Sequence, residues 1–120
     1  MQKKDILIID DDYRNIFALQ MVLKARKLSC QTASSFNEAQ EILSQPHNIG
    51  LILMDMMMPE IDGYEGISIL KKQGCVLPII AITAQAMSGD KEKCIAAGAN
   101  GYVSKPVNID HLMFFIEKYL

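Results

Sequence analysis

Asp10, Asp11 and Asp12 close one apolar run of this sequence, Asp55 closes a second, Thr83 a third, and Lys105 a short fourth. These residue types suit a particular chemistry. Carboxylates bind hard cations or attack as nucleophiles, while a hydroxyl and an ammonium hold anionic oxygens. Gathered in one place, two carboxylates about 4 Å apart repel by ~4 kcal/mol at an effective dielectric near 20. Lys105 offsets part of that, and a divalent cation would offset more. Mg²⁺ takes one or two carboxylates, several waters and phosphate oxygens, so the set describes a metal site that also accepts a phosphoryl group. Asp55, alone at the end of its run, is the natural nucleophile and would form an acyl phosphate. Lys105 and the metal would stabilise the charge on the transferring group, and Thr83 would donate a hydrogen bond to it.

Taken singly, each residue has a structural reading. Asp12 can cap a helix, Asp55 a turn, Thr83 can simply end a strand, and Lys105 can be a solvated lysine. Their recurrence at four successive run ends favours a shared site.

The elements that would position them are legible. ILII (6–9), LILM (51–54) and PIIAIT (78–83) are continuous apolar runs; SCQTA (29–33) reads as a weak edge strand and GYVS (101–104) as a short one. Helical patterns occupy 13–27, the segment after Ser35, 62–72, 88–97 and 109–119. Ser35 with Glu38 forms a capping box, Gly98 stops its helix and Asn108 caps the last one. Gly66 weakens the third helix, and Gly63 supplies a positive φ in a turn. Strands alternating with helices five times indicate a doubly wound α/β fold with a parallel sheet covered on both faces. In such a sheet all C-terminal strand ends lie along one edge, where ligands bind. Asp55 is thus expected at a strand exit facing other carboxylates, not in mid-core.

Totals narrow the field. The 120 residues suggest one domain, half apolar, with a net charge of −2. No basic stripe suits nucleic acid. No apolar stretch approaches the ~20 residues of a membrane span, and MQKKD is no signal peptide. Three scattered cysteines and two isolated histidines fit neither a disulfide framework nor a zinc site, which points to the cytoplasm.

At IIDDD (8–12), LMDMMMPEIDG (53–63), ITA (82–84) and GYVSKP (101–106) the chain resembles the receiver domain of two-component response regulators, across essentially its whole length. The resemblance implies a five-stranded, flavodoxin-like sheet of order 2-1-3-4-5. One receiver domain is expected over residues 1–120, with no effector domain within them, either as a stand-alone receiver or as one excised from a longer protein. Asp55 would accept a phosphoryl group from a phosphohistidine. Asp11, Asp55 and the Met57 backbone carbonyl would bind Mg²⁺, with Asp10 nearby. Thr83 and Lys105 would contact the phosphoryl group, and the Lys105–Pro106 bond would be cis. Thr83 would then draw inward with Tyr102 following, although Tyr102 is also readable as a plain strand aromatic. DDYRNIFAL (11–19) further resembles receivers fused to hybrid sensor histidine kinases.

Partners would be a histidine kinase or histidine phosphotransfer domain, with no nucleic acid and no membrane. On helix 13–27, Ala18, Leu19, Val22 and Leu23 take core-facing spacing. Phe17 and Met21 fall off that face, either as extra core or as an apolar landing site. In the last helix Ile109, Leu112, Ile116 and Tyr119 face the core, leaving Met113 and Phe114 for an output or dimer contact or for the core edge. Other functions fit less well. A small Mg²⁺-dependent phosphatase with an aspartyl nucleophile would want an acid where Met57 stands. A nucleotide binder would not place three aspartates after its first strand. A receiver that is never phosphorylated would not need the intact Asp, Thr and Lys set. A phosphoacceptor without separate substrate turnover is the expectation.

Overall fold

The computed structural model describes residues 4–84 and 89–120. Five parallel strands form one sheet: β1 (Asp5–Ile9), β2 (Cys30–Ala33), β3 (Ile49–Asp55), β4 (Ile79–Thr83) and β5 (Gly101–Ser104), in the order β2-β1-β3-β4-β5. The helices are α1 (Tyr13–Ala25), α2 (Phe36–Ser44), α3 (Gly63–Lys72), α4 (Asp90–Ala97) and α5 (Ile109–Tyr119). The expected fold, order and edge position of β2 are all present. The helix predicted from 88 begins at Asp90; Ser88, like the leading Met1–Lys3, lies outside the described residues.

Strand alternation explains both layers. Ile6, Ile8, Leu51, Leu53, Ile80 and Ile82 pack with Ile16, Leu19 and Leu23 of α1 and Leu112 and Ile116 of α5. Leu7, Ile9, Ile52, Met54, Ile79 and Ala81 point the other way, into the layer of Phe36, Ala39, Ile67, Leu70 and Cys94. Every residue of β3 is buried, as a central parallel strand requires.

Local chemistry sets the helix ends. Asp12 accepts from Arg14 N at 2.9 Å and caps α1. Ser35 caps α2 by accepting from Glu38 N, but the Glu38 carboxylate takes the Ser34 hydroxyl at 3.1 Å, so only half of the predicted box forms. Asn108 caps α5, and Gly98 (φ 120°) ends α4 as expected. Helix α1 stops at Ala25, not 27, because Lys27 has a positive φ of 60°.

Three readings need correction. The buried residues of α1 are Ile16, Leu19 and Leu23, whereas Ala18 is exposed and Val22 half-buried. The helix meets the sheet along an i, i+3, i+7 line, which leaves Ala18 outside. Met113 is half-buried against the α1–α5 layer, so Phe114, 57% exposed, is the surplus residue there. Gly63 is not among the glycines with positive φ. It is buried at the start of α3, where a Cβ would lie 2.7 Å from Met56 Cα. Its role is close approach, not a turn. Gly66 is explained the same way, with Met54 Cε 2.6 Å from where its Cβ would be.

Gly63→Ala is therefore expected to cost about 1–3 kcal/mol through overpacking against backbone. Urea denaturation measures this; an alanine variant as stable as the parent would show that the approach is not tight.

Candidate functional site

Strand register brings the predicted residues together. Ile9 pairs with Met54, so Asp10 and Asp55 each follow a paired position on neighbouring strands. Asp55 pairs with Ile82, the residue before Thr83, and Thr83 pairs with Ser104, the residue before Lys105. The ladder continues past the strands, through Met56 N to Ile82 O at 2.9 Å and Lys105 N to Thr83 O at 2.7 Å. All four strand exits thus form one edge, fixed by backbone pairing on buried strands.

Carboxylate oxygens of Asp10, Asp11 and Asp55 lie within 4.8 Å of one another. Asp10 and Asp55 are buried, at 3% and 4% exposure, and Asp11 is open to solvent. Lys105 Nζ donates to Asp55 Oδ1 at 3.2 Å and lies 4.0 Å from Asp10 Oδ2. The Met57 N–H also donates to Asp55 Oδ1, at 3.2 Å, and Asp12 N donates to Asp10 Oδ1 at 2.9 Å. Thr83 is buried at its strand end. The Lys105–Pro106 peptide is cis, as expected. Asp12 turns outward to Arg14, whose donation holds its carboxyl below the usual range.

Three acids face one lysine in the hollow, and Asp10 is both buried and beside the Asp55 charge. Burial pushes its pKa up to about 6; the Asp12 N–H pulls it down, the Asp55 charge pushes it up and Lys105 partly offsets that. The donor set fits a hard divalent cation. It supplies anionic oxygens from two strand ends, with no Cys or His among the grouped ligands of the described residues.

Tyr102 is half-buried and packed into the layer under α3 and α4. Asp90, 5% exposed in the first turn of α4, accepts the Tyr64 hydroxyl from α3. The Tyr102 phenol is raised by burial first and then by Asp90. Burial and Asp90 likewise push Cys94 up to about 11. Tyr64 and Asp90 are 26 residues apart, so no local spacing reveals the pair. Phe17 and Met21 on α1 are 64% and 55% exposed, one turn apart, with Tyr13 one turn earlier at 76%. They are not extra core.

A model of the response regulator receiver domain matches residues 6–117. The sensor histidine kinase RcsC of Escherichia coli K12 is 35% identical over 105 residues, covering 88% of this chain; the chain spans only 11% of that kinase. The polar-differentiation response regulator DivK of Brucella ovis is 33% identical over 119 residues, covering 98% of this chain and 96% of DivK. Among solved structures, the Francisella response regulator 1452 receiver domain superposes with a TM-score of 0.90 at 26% identity, covering 98% of this chain and 96% of that one. The Saccharomyces cerevisiae Ssk1 receiver domain, solved in complex with the histidine phosphotransfer signaling protein Ypd1, gives a TM-score of 0.85 at 29% identity, covering 98% of this chain and 88% of the matched one.

The raised pKa of Asp10 fixes the sign of a pH effect. Unfolded, this carboxyl loses its proton near 3.8; folded, it keeps it to about 6. Between those values the native state binds more protons, so the contribution of Asp10 to stability falls as pH rises. Denaturation of the metal-free protein between about pH 4 and 6 is expected to show the parent losing stability relative to Asp10→Asn. Parallel profiles would contradict the assignment.

Proposed function

This chain belongs to the response regulator receiver domain family, and from that premise we propose that Asp55 is its phosphoryl acceptor. Receiver domains of two-component systems accept a phosphoryl group from a histidine kinase or phosphotransfer protein. The observation that carries the assignment is the Asp55 carboxylate, buried at the central strand exit with Lys105 Nζ at 3.2 Å.

In the proposed reaction an Asp55 oxygen attacks the phosphorus of a partner's phosphohistidine. The P–O bond forms as the P–N bond breaks, and the imidazole leaves with the electron pair. Asp11, Asp55 and the Met57 carbonyl would hold Mg²⁺, with Asp10 alongside. The ion, when bound, supplies positive charge to the phosphoryl oxygens. The Met57 N–H orients the attacking carboxylate. Lys105, already beside Asp55, neutralises one phosphoryl oxygen, and the Thr83 hydroxyl donates to another. Residues 1–120 act in this reading as one receiver unit. Separate substrate turnover is not expected, because the position two after Asp55 holds Met57 and no acid.

The partner would present its histidine on a helix laid against α1. The exposed stripe of Tyr13, Phe17 and Met21 supports that, as does an apolar groove lined by Ala18, Val22, Ile82, Val107 and Ile109 that opens beside Asp10 and Lys105. Phe114, with Tyr102 as the switch residue, marks the face proposed for output or a dimer contact. A cytoplasmic location is supported by the free cysteines Cys30, Cys75 and Cys94. No described helix is long and apolar enough to cross a membrane.

Incubation with acetyl phosphate and Mg²⁺ is expected to add one phosphoryl group, mapped to Asp55 by mass spectrometry. Asp55→Asn abolishes it, and Lys105→Ala slows it by about 100-fold, the usual loss for a charge-stabilising donor. Label retained in Asp55→Asn at full yield would overturn the assignment. The double variant Phe17→Ser, Met21→Ser is expected to accept the group normally from acetyl phosphate but slowly from a phosphohistidine protein. Equal rates from both donors would remove α1 as the docking face.

A further inference from the structure

The loop between β3 and α3 carries a burden that side chains elsewhere in the site do not. A carboxylate ligand is aimed by its own rotamer. The Met57 carbonyl, as a backbone ligand, is aimed only by the path of the chain. That path is short and sharply folded. Met57 and Met58 pair antiparallel with Asp62 and Ile61 in a two-residue ladder, and Pro59 and Glu60 form its exposed tip. A ladder of that length does not hold itself in water.

Both ends of the loop are anchored. Met56 N is bonded to Ile82 O at 2.9 Å, and the Asp62 carboxylate caps α3 by accepting from Tyr64 N at 2.9 Å. The tip is anchored differently. Glu60 Oε1 accepts from Phe36 N, the first residue of α2, at 2.5 Å. That N–H is one of the four that a helix N-terminus leaves without an internal partner, and the helix dipole favours a carboxylate there. Ser35 satisfies Glu38 N, not Phe36 N, so Glu60 completes a cap that the local sequence leaves open.

The anchor is itself buried. Phe36 is 4% exposed, and its ring fills the space over Gly66, where a Cβ would lie 3.1 Å from Phe36 Cε1. Glu60 therefore ties the tip of the hairpin to a point fixed between α3 and the sheet.

We propose that Glu60 is a positioning residue for the metal site: by pinning the hairpin tip to α2 it sets the direction of the Met57 carbonyl and so the affinity for Mg²⁺. This rests on the metal-binding reading of Asp11, Asp55 and Met57. Glu60 touches neither the metal nor the phosphoryl group. It acts through the backbone, and what it must supply is an acceptor oxygen at the α2 N-terminus.

Titration calorimetry of the unphosphorylated protein with Mg²⁺ tests this. Glu60→Ala is expected to weaken binding by roughly tenfold, the lower end of the effect of groups that orient metal ligands. Glu60→Gln keeps an acceptor oxygen and is expected to retain most of the parent affinity. Amide chemical shifts of Met57 and Met58 should move in the alanine variant and stay near the parent in the glutamine variant. Thermal melts of both variants confirm folding. Parent-like Mg²⁺ affinity in Glu60→Ala overturns the proposal. Equal weakening in both variants also overturns it, because the carboxylate charge would then be responsible. Asp11→Asn separates the two levels: if it binds Mg²⁺ as the parent does, the reading of the site itself fails.

Discussion

Repulsion among Asp10, Asp11 and Asp55 is the interaction around which the rest of this molecule is arranged. Their oxygens approach within 4.8 Å, two of the three residues are buried, and Lys105 alone among the described cations reaches them. Left to themselves these side chains would separate into water. They cannot, because each is attached to the end of a strand whose ladder and apolar faces are fixed. Slipping β3 by one residue would turn Asp55 away, but it would also turn the whole strand inside out, exchanging Leu51 and Leu53 with Ile52 and Met54 between the two layers. The apolar core thus holds an electrostatic imbalance in place. Burial first, and the Asp55 charge after it, raise the pKa of Asp10 to about 6, so a proton held there eases part of that imbalance. In the proposed reading a cation would relieve it more completely.

That division of labour separates rigid parts from adjustable ones. The acids and Lys105 hang from the sheet. The remaining contacts come from the loop after β3, where Met57 donates to Asp55 and the hairpin is held by Met56 against Gly63, by Asp62 on α3 and by Glu60 on α2. The strand supplies the charge and the loop supplies the aim. Close packing at Gly63 and Gly66 is what lets α3 approach near enough for its N-terminus to serve as one of those supports.

What the sequence disclosed follows from this arrangement. A buried parallel strand is a continuous apolar run, so the polar residue that ends it stands out, and Asp10, Asp55, Thr83 and Lys105 could be read directly. Caps act over two or three residues, so Asp12, Ser35 and Asn108 were also visible. The stripe on α1 was misjudged because Ala18 and Val22 are apolar but small, and only the crossing of helix and sheet decides that Ile16 is buried in their place. Gly63 is ambiguous because a glycine required by a neighbouring Met56 looks, in sequence, like one required by φ. Glu60 on Phe36 and Asp90 on Tyr64 span 24 and 26 residues, and no periodicity encodes either.

The Asp90 contacts bear on how a charge added at Asp55 would be felt at a distance. Thr83 ends β4 and pairs with Ser104, and two residues earlier Ala81 pairs with Tyr102. The end of β4 is therefore joined to β5 by the ladder itself. Asp90 acts on the Tyr102 phenol and also takes the hydroxyl of Tyr64. The tyrosine of β5 thus pairs with a strand that the proposed phosphorylation would pull and lies under the influence of a buried carboxylate that joins α3 to α4. Such a position suits a two-state element, because an aromatic ring packed in a close-packed layer moves between discrete sites and does not deform continuously. In the proposed switch, the energy available to move it is the rearrangement of Lys105 and Thr83 about a phosphoryl group, and the resistance is the packing and hydrogen bonding gathered at Asp90. The balance between these two, more than the identity of Tyr102 alone, would decide how far the face formed by α4, β5 and α5 responds.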